Sequence, residues 1–386
     1  MGDLLYYLAA VRRNTLPTVV NCNVLFNVIE NARTTARIKK AKEISDLPTV
    51  DQTMLDSSGF SILTAEGSNK RITSDPTRPL YISKTEMNVA PLHVVQAACE
   101  LQPNVMVSLD YPVRKLQTQR EQGVEFKKKL SHNIKWAIET SKLRDRHCPH
   151  IPLLLAVQAY TVGDFMTFQS SLRDLKFEGF SMPVRNLNLQ EIALFLYTFY
   201  RTGVKRAHLL GTSKFLIIAL ASYFSNHYFR CVSFDSQSWR LAAEHGEYLN
   251  PLNLRRESLR AEDVQNKEHL RRHCRCPVCR EHSLKRIKDY PFVKRTALLR
   301  DHNAIAIQNL TDDLHQNAIT LSTLETFLRS RNSQIKPIDE LIRCLSLIDL
   351  HKNKDVNAFE THPVPGAERA GFGTEGSEKI TQISDP

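Results

Sequence analysis

The chain has 386 residues, of which 42% are hydrophobic and 24% are charged, and its net charge is +11. This composition is ordinary for a globular protein, no apolar run is long enough to span a membrane, and the eight cysteines are too sparse for a disulfide framework. We therefore expect a protein of the reducing cytoplasm that has no membrane partner. The excess of basic residues suits binding to a polyanionic partner.

The elements predicted along the chain alternate between strands and helices. The N-terminal sequence MGDLLYYLAAVRRN lacks a basic segment before its apolar stretch and is a poor candidate for a signal peptide. Apolar stretches then predict strands at 18–26, 53–60, 104–110, 152–160, 177–184, 206–213 and 230–236. Helical patterns lie at 91–101, 125–144, 162–175, 188–203 and 213–226. This alternation predicts a parallel sheet, and the number of units favours an α/β (β/α)8 TIM barrel over an open doubly wound sheet.

Polar residues stand at the end of one predicted strand after another. They are Asp56, Asp110, Gln158, Ser181, Thr212 and Asp235. In a barrel the carboxyl ends of the strands form one rim, where active sites lie. For each residue alone, the alternative interpretation is that it caps a helix or forms a turn. The succession of six indicates a functional rim.

Three cysteines lie within six residues, at Cys274, Cys276 and Cys279. Zinc binds thiolates with tetrahedral geometry, and one tight loop can supply three of its corners. We predict His302, at the start of a predicted helix, as the fourth ligand. His273 and His282 are nearer in sequence, but His273 is too close to Cys274 to reach a free corner. Four protein ligands leave no open position, so we predict a structural Zn²⁺ ion.

The cysteine cluster lies in the most basic part of the chain. Residues 251–300 contain 14 Lys or Arg and 6 Asp or Glu. Helical patterns follow, and the end of the chain is rich in Gly, Pro and polar residues. The predicted organisation is a barrel main part at 1–250, a basic zinc-binding subdomain at 251–303, C-terminal helices that complete the barrel and zinc module at 304–360, and a disordered tail at 361–386.

Short segments in order along residues 50–310 resemble the tRNA-guanine transglycosylase superfamily. The segment DSSGFS at 56–61 resembles the D-S-G-G-[FY]-Q motif of that family, and LDYP at 109–112 resembles its base-recognition segment. Three further segments are similar to its strand ends: AVQ at 156–158, LLGT at 209–212 and FDS at 234–236. The zinc pattern, followed by a distant His-Asn pair, is the most specific mark of the family.

The resemblance implies a TIM barrel with a zinc subdomain and a base-exchange reaction, in which a 7-deazaguanine replaces guanine in an intact strand. It implies that Asp235 is the nucleophile at C1′ and that Asp56 is the general acid and base. Further substrate-binding positions that it implies are Asp110 and Gln158 at the guanine edge, Phe60 and Leu210 on the base faces, and Ser57, Gly59 and Gly211. Two carboxyl groups suit an oxocarbenium-like reaction, since one traps the sugar while the other protonates the departing base.

The basic window suits contacts to phosphate groups, which position a strand without reading its sequence. The candidate residues are Arg255, Arg256, Arg271, Arg272, Arg275, Arg280, Lys285 and Arg286. A solvated charged surface is the alternative. Trp239, close after the predicted nucleophile, either stacks in the space of a displaced base or packs in the core.

Departures from the family pattern bear on the substrate. Ser58 and Ser61 replace a Gly and a Gln of the first motif, and FSMPV at 180–184 stands in place of a glycine-containing segment that contacts the base. These differences favour the DNA-acting, DpdA-type branch, which inserts 7-cyano-7-deazaguanine into DNA. Duplex DNA requires base flipping, and a partner protein that opens the duplex is a further expectation. A tRNA enzyme is the alternative. A non-catalytic nucleic-acid-binding or partner subunit is a third hypothesis, which the retained Asp56 and Asp235 disfavour.

Overall fold

The computed structural model describes residues 1–9, 16–17, 21–28, 34–57, 59, 80–82, 87–172, 174–259, 262–331 and 335–352. The chain divides into two compact units, Met1–Leu345 and Ser346–Pro386. The predicted tail at 361–386 lies outside the described residues. The four-part organisation predicted from the sequence stays a prediction, although all barrel strands lie before residue 250, as it requires.

Eight parallel strands form a closed barrel, which confirms the predicted fold class. The strands are β1 Asp3–Ala9, β2 Cys22–Asn27, β3 Val50–Asp56, β4 Val105–Val107, β5 Leu153–Ala156, β6 Gly179–Pro183, β7 Arg206–Leu210 and β8 Cys231–Ser236. Each strand pairs with its neighbours in chain order, and β8 pairs with β1 to close the barrel. The carboxyl ends of all eight strands therefore meet at one rim.

The first barrel strand lies where the sequence analysis placed no strand. Residues 3–9 pair with β8 on one side, where Tyr7 lies opposite Asp235, and with β2 on the other, where Tyr7 lies opposite Asn23. The start of the strand is held by backbone hydrogen bonds, with Asp3 N donating to Arg230 O at 2.8 Å. The apolar run of MGDLLYYLAA has the character of a poor signal peptide, and the same apolarity is what a strand needs when it is buried on both faces.

The interior of the barrel is filled by side chains that point inward from alternate strand positions. A buried cluster consists of Tyr7, Ala9, Leu25, Met54, Val105, Val107, Leu154 and Ala156. Most of these residues are aliphatic, so the lower part of the barrel is a packed core rather than a channel. Polar side chains adjoin this cluster: Ser181 on β6 pairs in register with Ala156, and the His208 ring lies edge-on to the Tyr7 ring, with centroids 6.2 Å apart.

Helices surround the barrel in the order that the alternating pattern predicts. They are α1 Thr35–Ser45, α2 Pro91–Leu101, α3 Gln119–His147, α4 Val162–Ser170, α5 Leu189–Arg201 and α6 Phe215–His227. Local signals fix their starts: the Thr118 hydroxyl accepts from the backbone N–H of Glu121 before α3, and Asn188 caps α5 in the same way. Among the described residues, no helix combines the length and apolar character needed to cross a bilayer.

The chain leaves the barrel after β8 and returns as a long helix. Short elements follow β8: α7 Ser238–Glu244, paired strands at Glu247–Leu249 and Arg256–Ser258, a 3-10 helix at Glu262–Lys267, α8 Glu268–Arg271, α9 Pro277–Glu281 and α10 Leu284–Asp289. Helix α11, Phe292–Asn317, then packs against β1, α6 and α7 and takes the eighth helix position. Helices α12 Leu321–Arg331 and α13 Ile335–Leu350 follow.

Trp239 packs in the core. Its side chain is fully buried, and the indole Nε1–H donates to the Ala9 carbonyl at 3.3 Å. This residue thus joins the start of α7 to the end of β1, and it is not available to stack on a base.

Candidate active site and metal centre

Asp110 is the centre of a buried polar group at the rim. It follows β4, and both of its carboxylate oxygens accept hydrogen bonds. The Ser57 hydroxyl, just beyond β3, donates to Oδ1, and Gln158 Nε2, just beyond β5, donates to Oδ2 at 2.6 Å. Gln158 is held in turn, because its Oε1 accepts from the Val113 backbone N–H at 3.2 Å. The structure therefore brings together three of the residues predicted to bind the base.

Gly59 is a glycine because the Asp110 carboxylate lies directly against it. A Cβ at this position would stand 2.6 Å from Asp110 Oδ2, well inside van der Waals contact. The absence of a side chain at Gly59 thus lets the backbone approach the carboxylate closely.

Burial raises the pKa of Asp110 from 3.8 to about 6, while the hydrogen bonds from Ser57 and Gln158 act in the opposite direction. The carboxyl group is therefore ionised at neutral pH but near its titration range. An ionised Asp110 can accept from two neighbouring N–H donors, which is the pattern on one edge of guanine.

Asp235 lies on β8 and is held at one oxygen. The Gly211 backbone N–H donates to Oδ1 at 2.9 Å, and His208 Nε2 lies 3.4 Å from the same oxygen. Gly211 has a φ of +75°, a conformation that suits glycine and turns its N–H toward β8. The other ring nitrogen of His208, Nδ1, lies 2.9 Å from the Ser233 hydroxyl. Asp235 thus has a fixed orientation inside the rim.

Asp56 is the last residue of β3 and is half-buried. Asn27 Nδ2, at the end of β2, donates to its Oδ2 at 3.4 Å. The neighbouring strand thus supplies a polar contact that helps to orient this carboxyl group.

The remaining rim predictions have different outcomes. Ser181 lies in the middle of β6 and is fully buried, so it does not end its strand as expected. Thr212 is buried just beyond β7, and its backbone N–H donates to the Asp235 carbonyl at 2.8 Å. Leu210 is the half-buried last residue of β7. Phe60 lies outside the described residues.

The three clustered cysteines and His302 converge on one point. His302 Nδ1 lies 3.5 Å from Cys274 Sγ and 3.4 Å from both Cys276 Sγ and Cys279 Sγ. Around a zinc ion with tetrahedral geometry, bonds of ~2.3 Å to sulfur and ~2.0 Å to nitrogen place the sulfur and nitrogen ligand atoms about 3.5 Å apart. All four residues are buried, and their ligand atoms lie within 4.8 Å of one another. The cluster is therefore a site that could hold a metal ion such as zinc.

The surroundings of His302 leave Nδ1 available to a metal. Its Nε2 lies 2.8 Å from the Leu249 carbonyl, which can only accept, so the ring proton is on Nε2. Tyr248 stacks on the imidazole with ring centroids 3.8 Å apart, and its hydroxyl lies 3.3 Å from Cys279 Sγ. Asn303 accepts from the Leu249 N–H at 2.8 Å. This polar support fixes the ligand in the orientation that binding requires.

The predicted phosphate-binding residues have unequal surroundings. Arg271 is half-buried and contacts Glu268 and the Cys279 carbonyl, so it braces the metal cluster. Arg256 lies 3.3 Å from Glu247, and Arg275 lies 2.7 Å from Asp313. Both of these arginines are exposed, as are the remaining candidates: Arg255, Arg272, Arg280, Lys285 and Arg286.

Sequence reasoning missed several residues of these two sites. His208 stands in the apolar stretch RAHLLG, and a histidine within a strand predicted to be buried was a usable signal. Barrel pairing brings Asn27 to Asp56 and Ser233 to His208, and neither contact can be read from spacing along the sequence. Asn303, of the His-Asn pair, accepts from the Leu249 N–H and donates to the Trp239 carbonyl, so it holds α11 to the segment that follows β8.

A parallel barrel with a carboxylate-lined rim and a buried Cys3His cluster defines a class of barrel proteins with an attached metal module. The family model described as queuine tRNA-ribosyltransferase matches residues 231–337, which include Asp235 and all four cluster residues. The chain is also similar to a tRNA-guanine(15) transglycosylase from Methanococcus aeolicus, with 26% identity over 226 residues. That match covers 56% of this chain and 32% of the relative, so the chain spans about a third of the relative's length. Both matches agree with the resemblance of the sequence motifs to the tRNA-guanine transglycosylase superfamily.

Proposed function

We propose that this protein is a guanine transglycosylase that exchanges guanine in a nucleic acid for a 7-deazaguanine. The observation that carries the proposal is the pairing of two sites on one rim. Asp235 is held by the Gly211 N–H and faced by His208, and Asp110 is held by Ser57 and Gln158. The first arrangement presents a nucleophile, and the second presents acceptors to a base.

Asp235 attacks C1′ of the target nucleotide in the proposed mechanism. Its Oδ1 carries the contacts to Gly211 and His208, so Oδ2 forms the bond to C1′. As that bond forms, the bond from C1′ to N9 breaks, and its electron pair goes to the guanine, which takes a proton from Asp56. The incoming base then gives its N9 proton to Asp56, attacks C1′ and releases the Asp235 carboxylate. Both half-reactions balance without a further reactant.

His208 positions the nucleophile in this mechanism. When the Ser233 hydroxyl donates to Nδ1, the neutral ring carries its proton on Nε2, which faces Asp235 Oδ1. The fully buried ring thereby places an N–H group beside the carboxylate of Asp235.

The metal cluster has a structural role in the proposed function. Cys274, Cys276, Cys279 and His302 would hold a zinc ion, which when bound supplies cross-links between the basic segment and helix α11. Four protein ligands leave no position for a reacting water.

We propose DNA as the nucleic acid and 7-cyano-7-deazaguanine as the incoming base. The sequence departures at Ser58, Ser61 and 180–184 support this choice, because they stand where a tRNA enzyme of the family has its characteristic residues. One observation favours tRNA instead: the curated relative is a tRNA-guanine(15) transglycosylase. We further propose a cytoplasmic location, and a partner protein that opens duplex DNA.

Exchange of radiolabelled guanine separates these substrates. The protein is incubated with labelled guanine and either duplex DNA, single-stranded DNA or total tRNA. We expect label in DNA, and none with Asp235→Asn, while Asp51→Asn at the exposed opposite end of β3 serves as the matched control. Label in tRNA alone would overturn the DNA assignment. Label in none of the three would contradict the transglycosylase proposal for the isolated chain.

A further inference from the structure

The turn between helices α10 and α11 exposes apolar side chains within a basic surface. Phe292 is 59% exposed and Val293 is 76% exposed. Residues 283–295 carry five basic side chains and a single acidic one, Asp289. We call the surface of Lys285, Arg286, Tyr290, Phe292, Val293 and Lys294 the aromatic–basic patch. Neighbouring exposed apolar residues of this size call for an explanation beyond ordinary surface composition.

Cations lie directly beside the aromatic rings of the patch. Lys294 Nζ is 3.9 Å from the Tyr290 ring centroid, and Arg286 Cζ is 5.8 Å from the same centroid. Arg295 Cζ lies 5.9 Å from the Phe292 centroid. A cavity of about 310 Å³ opens beside Tyr290 and is lined by Lys285 and Arg286 among others. Positive charge and flat apolar faces are therefore available at the same place.

Two landmarks fix the direction in which α11 runs. At its lower end, Asn226 Nδ2 donates to the His315 carbonyl at 2.9 Å, and Asn226 lies at the end of α6, just before β8 begins. Further up, Asn303 Nδ2 donates at 3.2 Å to the carbonyl of Trp239, which lies just after β8 ends. Helix α11 thus descends from the rim that carries Asp235 to the opposite end of the barrel.

The aromatic–basic patch consequently stands above the active-site rim. Phe292 precedes Asn303 by eleven residues of helix, which correspond to about 16 Å at 1.5 Å per residue. The first three turns of α11 therefore extend past the level of the rim.

We infer that the aromatic–basic patch is a stacking platform for an unpaired stretch of the nucleic-acid strand beside the target nucleotide. The inference rests on the proposed function for its substrate class. Basic side chains neutralise phosphates, and exposed aromatic faces stack on bases of any identity, which is the combination that binds single strands. An acidic protein would satisfy the charges but would leave the exposed ring of Phe292 without a flat partner.

Binding of fluorescent oligonucleotides to the full chain tests the inference without any chemistry. The probes are a 20-nucleotide oligo-dT, the matching oligo-rU, and a DNA duplex of the same length. We expect Phe292→Ala to weaken single-strand binding roughly tenfold, because stacking contributes that much per base, and to weaken duplex binding far less. Lys294→Gln should weaken all three probes and lower their salt dependence. Ile319→Ala, which removes an apolar side chain that is 51% exposed near the other end of α11, is the matched control and should bind as wild type does.

Each other outcome has a defined meaning. If Phe292→Ala binds oligo-dT and oligo-rU as tightly as wild type does, the platform is refuted, whatever the base-exchange assay shows. An equal loss for single strands and duplex would refute stacking and leave only phosphate contacts. If poly-glutamate competes as well as oligo-dT and loses affinity in the same variant, the patch binds an acidic protein and the inference is wrong. A loss confined to single strands supports the platform even where no base exchange occurs.

Discussion

The Cys3His cluster and the carboxylate rim are both built from buried polar side chains, but the chain assembles them in opposite ways. The cluster takes three ligands from six consecutive residues and the fourth from one helix. The rim collects Asp56, Asp110, Gln158 and Asp235 from separate strands that meet only when the barrel closes. Spacing along the sequence therefore specifies the cluster, whereas the complete fold specifies the rim.

The two regions also differ in whether particular buried polar atoms have hydrogen-bond partners. Around the cluster, Nε2 of His302 and the side chain of Asn303 have hydrogen-bond partners. Among the described residues of the barrel interior, His208 Nε2 and Ser181 Oγ are buried and lack a partner with hydrogen-bond geometry. In the proposed function, a bound substrate could engage these buried polar atoms of the barrel.

We expect the largest effect when a ligand of the Cys3His cluster is removed. Cys276→Ala should lose about one equivalent of bound zinc per chain and lower Tm by at least about 5 °C, because the ligands join α9 to barrel helix α11. Metal content by mass spectrometry and calorimetry measure the two quantities. Cys99→Ser, outside the cluster, is the control. Full zinc content in Cys276→Ala would show that this thiol is not a ligand.

The pH dependence of the free energy of unfolding tests the rim through Asp110. The pKa of Asp110 is raised to about 6, so between pH 4 and 6 the folded protein keeps a proton that the unfolded chain has released. Stability should therefore fall as the pH rises through this window, by up to about 3 kcal/mol at roughly 1.4 kcal/mol per pKa unit. The difference between wild type and Asp110→Asn in urea denaturation isolates this group. A flat difference curve from pH 4 to 6 would contradict the raised pKa.

Replacing His208 tests whether Asp235, the proposed nucleophile, depends on the neighbouring imidazole. An Asn side chain can keep the contact of Nδ1 with Ser233 but cannot reach Asp235, whereas a Gln amide can reach the position of Nε2. We expect His208→Asn to slow formation of the covalent adduct by roughly 10- to 100-fold and His208→Gln to restore most of it. Rates are compared per folded protein. Equal losses in both variants would indicate a packing role instead.

The smallest expected effect is at Gly211. Its positive φ costs an alanine about 1 kcal/mol, although a Cβ there would meet no atom within 4 Å. Gly211→Ala should thus fold with slightly lower stability in urea denaturation and form the adduct more slowly, since the N–H to Asp235 shifts. Unchanged stability and rate would mean that the turn tolerates a side chain and that its N–H does not matter.

Some elements of the fold and of the candidate sites could be predicted from the sequence, and others could not. All four cluster residues were predicted, because their chemistry demands a fixed spacing and one distant partner. The barrel was predicted from its alternation, but β1 was missed, since a short apolar run at the start of a chain has no preceding helix to mark it as a strand. Ser181 was misplaced because an apolar run predicts a strand without fixing where it ends. The contact between Asp110 and Gln158 joins two loops and depends on barrel closure.

The most direct test of the central claim is the mass of the protein after incubation with an oligonucleotide substrate without an incoming base. The account predicts a denaturation-resistant adduct of protein and oligonucleotide, an ester on the peptide that contains Asp235, which is absent in Asp235→Asn and released when a 7-deazaguanine base is added. An adduct mapped to any other residue, or one that persists in Asp235→Asn, would contradict the assignment of the nucleophile.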